Sequence, residues 1–378
     1  MNLKIVFCIN NIYSLGGGQR VLSQRVNYFV KNTKYKIYII TTDQKQKSCF
    51  YFFDPSIKII DLEINYREDK NNFFLLRKLK VIYKRKKHLS RLNKLINEIN
   101  PDVIAAHGTE EKWIIPELKY KCKKILERHI EKKAVLKEAN NFFRKIKGYL
   151  TIYREEMLIK KYDEFIILTE EDREQWNKPK IKVIPNSLTF YPTEISKCEN
   201  KKIISVGRLE YQKGYDILVD IWKKVFEKHK DWILEIYGEG SLKKELEEKI
   251  KKLGLENSLL LKGSVSNIQE KYLESSIYVM SSRFEGFGMV LVEAMACGLP
   301  LVSFDCPCGP KDVITDKEDG YICKFGNIEE IAKKICDLIE NEEKRKEFGK
   351  KARENSLRYE ESKIMNRWKN LFENLVKK

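Results

Sequence analysis

The sequence is poor in the residues that build metal centres, and no stretch of it is long and apolar enough to cross a bilayer. Nine cysteines and four histidines are scattered over 378 residues. Cys306 and Cys308 form CPC with no second pair at zinc spacing. That argues against a zinc ribbon; a strand-end turn is the preferred reading, with a metal-ligand pair as the alternative. The odd, dispersed cysteine set speaks against a disulfide framework and for thiols in a reducing cytosol. No apolar run reaches the roughly 18–20 residues of a transmembrane helix, and the opening MNLKIVFCIN reads as a strand and turn instead of a secretory leader. Repeats of solenoid period, low-complexity tracts and the usual nucleic-acid-binding modules are all missing. There is no Asp-x-Asp; the nearest pattern is Asp61-Leu-Glu63, in a strand of the first half.

Positive charge is abundant. The net charge is +18, and up to Pro185 there are 39 Lys/Arg against 22 Asp/Glu, which leaves that half at +17 and the rest nearly neutral. A half so basic is suited to an anionic partner: a membrane leaflet, a nucleic acid or a phosphorylated substrate. A lysine-rich bias with solvated faces is the plainer alternative. Apolar residues at 42% suffice for globular packing, and the length suits two domains of roughly 150–200 residues.

Apolar bursts of strand length alternate with helix-length segments, the mark of an α/β chain with parallel sheets. LKIVFCIN, YKIYIITT, IKIIDLE, DVIAAHG, KKILERH and EFIILTE read as strands of a first domain, and RVLSQRVNYFVKN and KHLSRLNKLINEIN as helices, the second stopped by Pro101. IKVIPNSLTFYP marks a boundary, with a last strand ending at Pro185–Asn186, and the polar stretch TEISKCENKK follows. A second series then opens: KIISVGRL, WILEIYGEG, SLLLKGSV, IYVMSS, PLVSFD and GYICKF. The expected architecture is two doubly wound domains, 1–185 and 201–359, facing each other across a cleft, with ligands at the carboxyl ends of the strands.

Two stretches carry chemistry. In SSRFEGFGMVLVEAMACGLP a strand runs into a glycine loop and then a helix that stops at Gly298. Free N–H groups and the positive end of the helix dipole make this a phosphate site. Glu285 lies in the loop and Glu293 near the second turn of the helix. Neither carboxylate tolerates a phosphate directly, but each accepts hydrogen bonds from a sugar diol, so the pair flanking one phosphate site suits a sugar nucleotide. For Glu293, a dipole-favoured glutamate in an early turn is the alternative. In ISVGRLEYQKGYD, Arg208 and Lys213 stand at the end of a strand, placed to neutralise a diphosphate by a guanidinium fork and a point charge, or else are two exposed loop cations. SLGGGQR offers Gly16, Gly17 and Gly18 as backbone donors, or as a plain strand-to-helix turn.

GRLEYQKGYD followed by FEGFGMVLVEAMACGLP resembles the nucleotide-sugar domain of glycosyltransferase family 4, the group 1 retaining transferases of GT-B fold, in the bacterial surface-polysaccharide type to which the CPCGP segment is also similar. The resemblance spans the chain and is strongest from about Ile203 to Gly320. It implies catalytic roles for Glu285 on the donor sugar and for Arg208 and Lys213 on the diphosphate. Glu293 would hold the ribose, and Phe287, Gly288, Met289 and Val290 the phosphate and sugar oxygens. Ser264 and Val265 would line the base, and Gly238, with Glu239, the same cleft. Gly17 and Gly18 match the first-domain glycine loop, but Gln19 stands where the family carries Glu. A family histidine beside the donor sugar matches His129 better than His107. A C-terminal helix at about 360–378 would pack back on the first domain, which would bind the acceptor.

The implied activity is retaining, metal-independent hexosyl transfer with no cofactor. A hexose or N-acetylhexosamine passes from a nucleotide sugar, UDP by family precedent, to a polyprenyl-diphosphate-linked oligosaccharide for capsule, O-antigen, lipopolysaccharide or another glycan. RKLKVIYKRKKHLSRLNK, KYKCKKILERHIEKK and FFRKIKGYL interleave basic and apolar residues, as expected of a cytoplasmic enzyme docked on the anionic inner face of the membrane, with no nucleic-acid partner. A soluble or glycerolipid acceptor is the alternative within the enzyme class. A nucleic-acid-binding protein or a catalytically silent scaffold are the alternatives outside it.

Overall fold

The protein, seen in a computed structural model, is described for residues 1–66, 74–107, 110–137, 139, 141–176 and 180–377. Seven parallel strands form the first sheet: β1 (Lys4–Ile9), β2 (Lys36–Thr41), β3 (Lys58–Asp61), β4 (Val103–Ala106), β5 (Lys123–Glu127), β6 (Glu164–Ile167) and β7 (Ile181–Val183), in the order β3-β2-β1-β4-β5-β6-β7. Six more form the second: β8 (Lys202–Val206), β9 (Ile233–Tyr237), β10 (Leu259–Gly263), β11 (Ile277–Met280), β12 (Leu301–Phe304) and β13 (Gly320–Cys323), in the order β10-β9-β8-β11-β12-β13. Every strand expected from the apolar bursts is present. Their unbroken aliphatic runs follow from burial on both faces: Val103–Ala106 and Leu301–Phe304 are buried throughout.

The strand order reverses once in each sheet, between β1 and β4 and between β8 and β11. At such a switch point the loops leaving adjacent strands diverge to opposite faces and open a crevice. The segments leaving these strands carry Gly17 and Gly18, which open the helix Gly17–Asn32 after β1, His107 after β4, Arg208 and Lys213 after β8, and Glu285 after β11. Both crevices belong to one cleft between two Rossmann-like domains.

The helix Glu361–Lys377 follows the second sheet in sequence but joins the first in space. Ile364, Met365, Trp368, Leu371 and Phe372 pack with Ile5, Phe7, Val26 and Phe29 in one buried cluster. The polar stretch TEISKCENKK, which follows the boundary, is anchored on the second domain. Ser196 N–H donates to Cys297 O (2.8 Å), and the buried Arg345 Nε donates to Cys198 O (2.8 Å). Asp61-Leu-Glu63 straddles the end of β3 instead of lying within a strand, and Asp61 Oδ1 accepts from Thr41 Oγ1 at 3.0 Å.

Candidate active site

A cavity of about 730 Å³ lies between the domains. Its first-domain wall includes Gly17, Gly18, His107, Glu127 and His129, and its second-domain wall includes Arg208, Lys213, Glu285 and the segment Phe287–Val290. Residues separated by more than a hundred positions are thus brought to one space by the two switch points.

On the second-domain wall, Lys213 Nζ donates to Glu285 Oε1 at 2.6 Å, and Ser282 Oγ donates to the same oxygen at 2.6 Å. Both side chains are largely buried. Gly214 makes the contact possible. Its φ is +64°, and a Cβ there would lie 2.2 Å from Ser281 O, so only glycine lets the Lys213 turn lie against the end of β11. Ser281 Oγ closes the contact on Lys213 O (3.0 Å). The residues assigned separately to diphosphate and donor sugar therefore form one ion pair. Arg208 is exposed at the rim and touches Gln212 Oε1 (3.2 Å). The helix Met289–Ala296 starts from Gly288 and points its N-terminus at the cavity wall that Gly288, Met289 and Val290 line.

The first-domain wall is organised by Glu127, at the end of β5. Its Oε2 lies 3.2 Å from His107 Nδ1, 3.3 Å from His129 Nε2 and 2.8 Å from Arg25 Nη1. The two imidazoles lie with ring centres 4.2 Å apart, tilted 53° to each other. Both histidines weighed from the sequence thus sit in one cluster, so the choice between them dissolves. Burial alone would raise the Glu127 carboxyl, but Arg25 and the two rings more than offset it and hold the carboxylate well below the usual range. Burial, then repulsion from His107, lowers His129 to about 4, so its imidazole is neutral at physiological pH. Glu127 Oε1 is buried with no hydrogen-bond partner among the described residues. An open acceptor on a cavity wall suits a ligand hydroxyl. Arg25 is held in turn by the ring of Trp368, 3.7 Å from its guanidinium.

The ligand atoms of His107, Glu127 and His129 lie within 4.8 Å of one another, as a metal centre needs. Arg25 already neutralises the only carboxylate of the three, and its fixed charge opposes a dication at that point. Cys306 and Cys308 are both buried after β12, and burial pushes both thiols up, which keeps them protonated.

Glu293, Ser264, Val265, Gly238 and Glu239, all expected at the donor, stand apart from the cavity wall. Glu293 is buried on the next turn of its helix: Oε1 accepts from Arg20 Nη1 (2.8 Å) and Thr189 Oγ1 (3.2 Å), and Oε2 from Tyr272 Oη (3.3 Å). Ser264 and Val265 are exposed beyond β10, and Gly238 ends β9 with its N–H on Gly263 O at 2.9 Å. Gln19, in place of the family Glu, ties its amide to Ser14 Oγ (3.1 Å) and so braces the loop before the first helix.

Glu127, Arg25 and Arg20 were not singled out by sequence reasoning. Glu127 alone left a signal: a carboxylate at the end of the aliphatic run ILE, directly before Arg128 and His129.

Two Rossmann-like domains sharing one cleft at their switch points define a GT-B protein. Consistent with this, the solved structure of an S. aureus TarM mutant, in complex with Fondaparinux, alpha-GlcNAc-glycerol and UDP, aligns over 98% of this chain and 99% of its own with a TM-score of 0.79 at 20% identity. Residues 192–355 match the family Glycosyl transferases group 1. An uncharacterized glycosyltransferase of Haemophilus influenzae is 31% identical over 376 residues, 97% of this chain and 99% of that one. The N-acetylgalactosamine-N,N'-diacetylbacillosaminyl-diphospho-undecaprenol 4-alpha-N-acetylgalactosaminyltransferase of Campylobacter jejuni is 31% identical over 166 residues, 44% of this chain and 45% of that one. The chain belongs to the group 1 glycosyltransferases.

Proposed function

We propose that this glycosyltransferase moves a hexose or N-acetylhexosamine, with retention and without a metal, from a UDP-sugar to a polyprenyl-diphosphate-linked saccharide, working from the cytoplasm on the inner face of the membrane. The observation that carries the reading is the polarity of the cavity. Cations and a helix N-terminus stand on one wall, and an uncommitted carboxylate oxygen with two imidazoles stands on the other.

Breaking the bond between the anomeric carbon and the diphosphate puts negative charge on the departing oxygen. Arg208, Lys213 and the N–H groups at the start of the helix Met289–Ala296 supply fixed positive potential there. Glu285, which neutralises Lys213 before the donor arrives, is free to take sugar hydroxyls once the lysine turns to phosphate. From the opposite wall Glu127 Oε1 takes a further hydroxyl, and neutral His129 completes the grip on the ring. The acceptor hydroxyl attacks from the face the diphosphate leaves, and the diphosphate oxygens are the nearest base for its proton. The diphospho-undecaprenol acceptor in the name of the Campylobacter relative and the UDP in the TarM complex support this choice of acceptor and donor.

A thermal-shift panel of nucleotide sugars tests the reading. Stabilisation by one UDP-sugar, lost in Arg208→Ala and Lys213→Ala, is the expected result. A panel without any shift overturns it.

A further inference from the structure

One helix of the first domain has its apolar side turned outward. In Phe142–Ile159, Phe142, Phe143, Ile146, Tyr149, Leu150 and Tyr153 are exposed, from 43% at Ile146 to 81% at Phe143, and Met157 continues the row. At 3.6 residues per turn these positions fall on one arc of about 120°. Single exposed apolar residues are ordinary; a continuous stripe over four turns is not.

The orientation is fixed by the other side of the helix. Gly148 seats it, because a Cβ there would lie 2.6 Å from Leu136 Cδ2. Glu155 is buried between Lys112 and Arg128, with 2.5 Å to Arg128 Nη1. Leu158 and Ile159 are buried on the same side. The helix therefore cannot roll to hide the stripe. Lys145, Lys147 and Arg154 border the stripe, and all three are exposed. A basic margin around an outward apolar face is the pattern of a helix lying in a membrane interface, with cations at the headgroups and aromatic rings below them. The +17 of the first 185 residues complements an anionic surface specifically.

We infer that the helix Phe142–Ile159 is the element by which this protein inserts into an anionic bilayer, and that its seating sets the cleft beside the membrane. Thr151 and Glu155, on the inward side of the same helix, line the cavity between the domains. A bilayer held by the stripe thus lies one helix diameter from the cleft, where an acceptor with a lipid tail would enter. The inference deepens the proposed function and rests on it only for that purpose; the insertion itself is a separate physical claim.

The test is flotation of the full chain with vesicles of phosphatidylcholine alone and of equimolar phosphatidylcholine and phosphatidylglycerol, alongside size-exclusion chromatography. The wild type floats with the anionic vesicles, and the triple variant Phe142→Ser, Phe143→Ser, Leu150→Ser loses at least about tenfold in partition while keeping its elution volume. Its thermal shift with UDP stays that of the wild type, because none of the three residues lines the cavity. Flotation of the triple variant equal to wild type overturns the inference, as does failure of the wild type to bind anionic vesicles. A wild-type dimer that the triple variant converts to monomer also overturns it, by naming a second copy as the occupant. If the wild type floats but no nucleotide shifts its melting, the donor reading fails and the insertion helix stands.

Discussion

Arg20 Nη1 donates to Glu293 Oε1 at 2.8 Å, across the cleft and 273 positions apart in sequence. Arg20 Nη2 also reaches Thr189 Oγ1 (2.7 Å), in the segment joining the domains. The carboxylate expected to hold a donor ribose is thus already engaged by the opposite domain. A diol that binds Glu293 must take part of that carboxylate from Arg20. Arg20→Ala is expected to tighten UDP by about threefold to tenfold, the worth of one partly buried ion pair, in isothermal titration calorimetry. Weaker binding would place Arg20 on the donor itself.

Lys213 and Glu285 separate by their effects. Lys213→Ala is expected to weaken UDP and lower kcat/KM by about 10²–10³, the cost of removing a charge aimed at the leaving group. Glu285→Gln keeps the shape of the side chain and its Ser282 contact. It is expected to leave UDP affinity within about twofold while lowering kcat, because its proposed partner in the reaction is the sugar. Equal loss of UDP affinity in both variants would contradict the division of labour.

Gly286 approaches the first domain more closely than any side chain permits: a Cβ there would lie 2.1 Å from His129 O. Gly286→Ala must push its loop and the His129 turn apart. Neither domain core is touched, so melting should change by only a few degrees while activity falls by about 10² or more, since misplacement near 1 Å is that costly. A crystal structure of the variant with the loop unmoved, or full activity, would refute this account.

Acid should weaken the fold through His129. Its folded value of about 4 lies below the ordinary 6.5, because burial and His107 oppose its charge. Between those values the unfolded chain holds the extra proton, so stability is fully present above about pH 6.5 and lost as the pH falls toward 4, by up to about 1.4 kcal/mol per pH unit. His88, lowered to about 4 by burial and Arg85, acts in the same direction. Glu111, raised to about 7 by burial, acts in the opposite one. Urea denaturation of His129→Gln against wild type isolates the first contribution: the variant should lose less stability between about pH 7 and pH 5. Parallel pH profiles would show that His129 is not the group responsible.

Much of this was legible before any coordinates. Thirteen strands announce themselves as aliphatic runs because parallel strands are buried on both faces, and glycines punctuate the loops where helix and strand must nearly touch. Arg208, Lys213 and Glu285 were visible because the strand–glycine–helix pattern places them locally. Glu127, Arg25 and the Arg20–Glu293 pair were not. Their meaning lies in partners contributed by other elements, and a contact between β5 and the first helix, or between two domains, has no period in the sequence. Glu293 shows the limit in reverse. Its place on the helix was right, but its neighbours depend on how the domains meet.

The helix Glu361–Lys377 has a consequence for how the protein is made. It supplies Trp368 and Phe372 to a core whose other members, such as Phe7 and Phe29, are translated among the first residues. Trp368 also steadies the guanidinium that neutralises Glu127. The amino-terminal lobe therefore leaves the ribosome with an open greasy groove and an unsettled Glu127 carboxylate, and must wait for some 180 further residues before either is closed. During that interval the nascent chain has reason to be held by a chaperone, and loss of the final helix should harm the lobe at the far end of the sequence more than the one beside it.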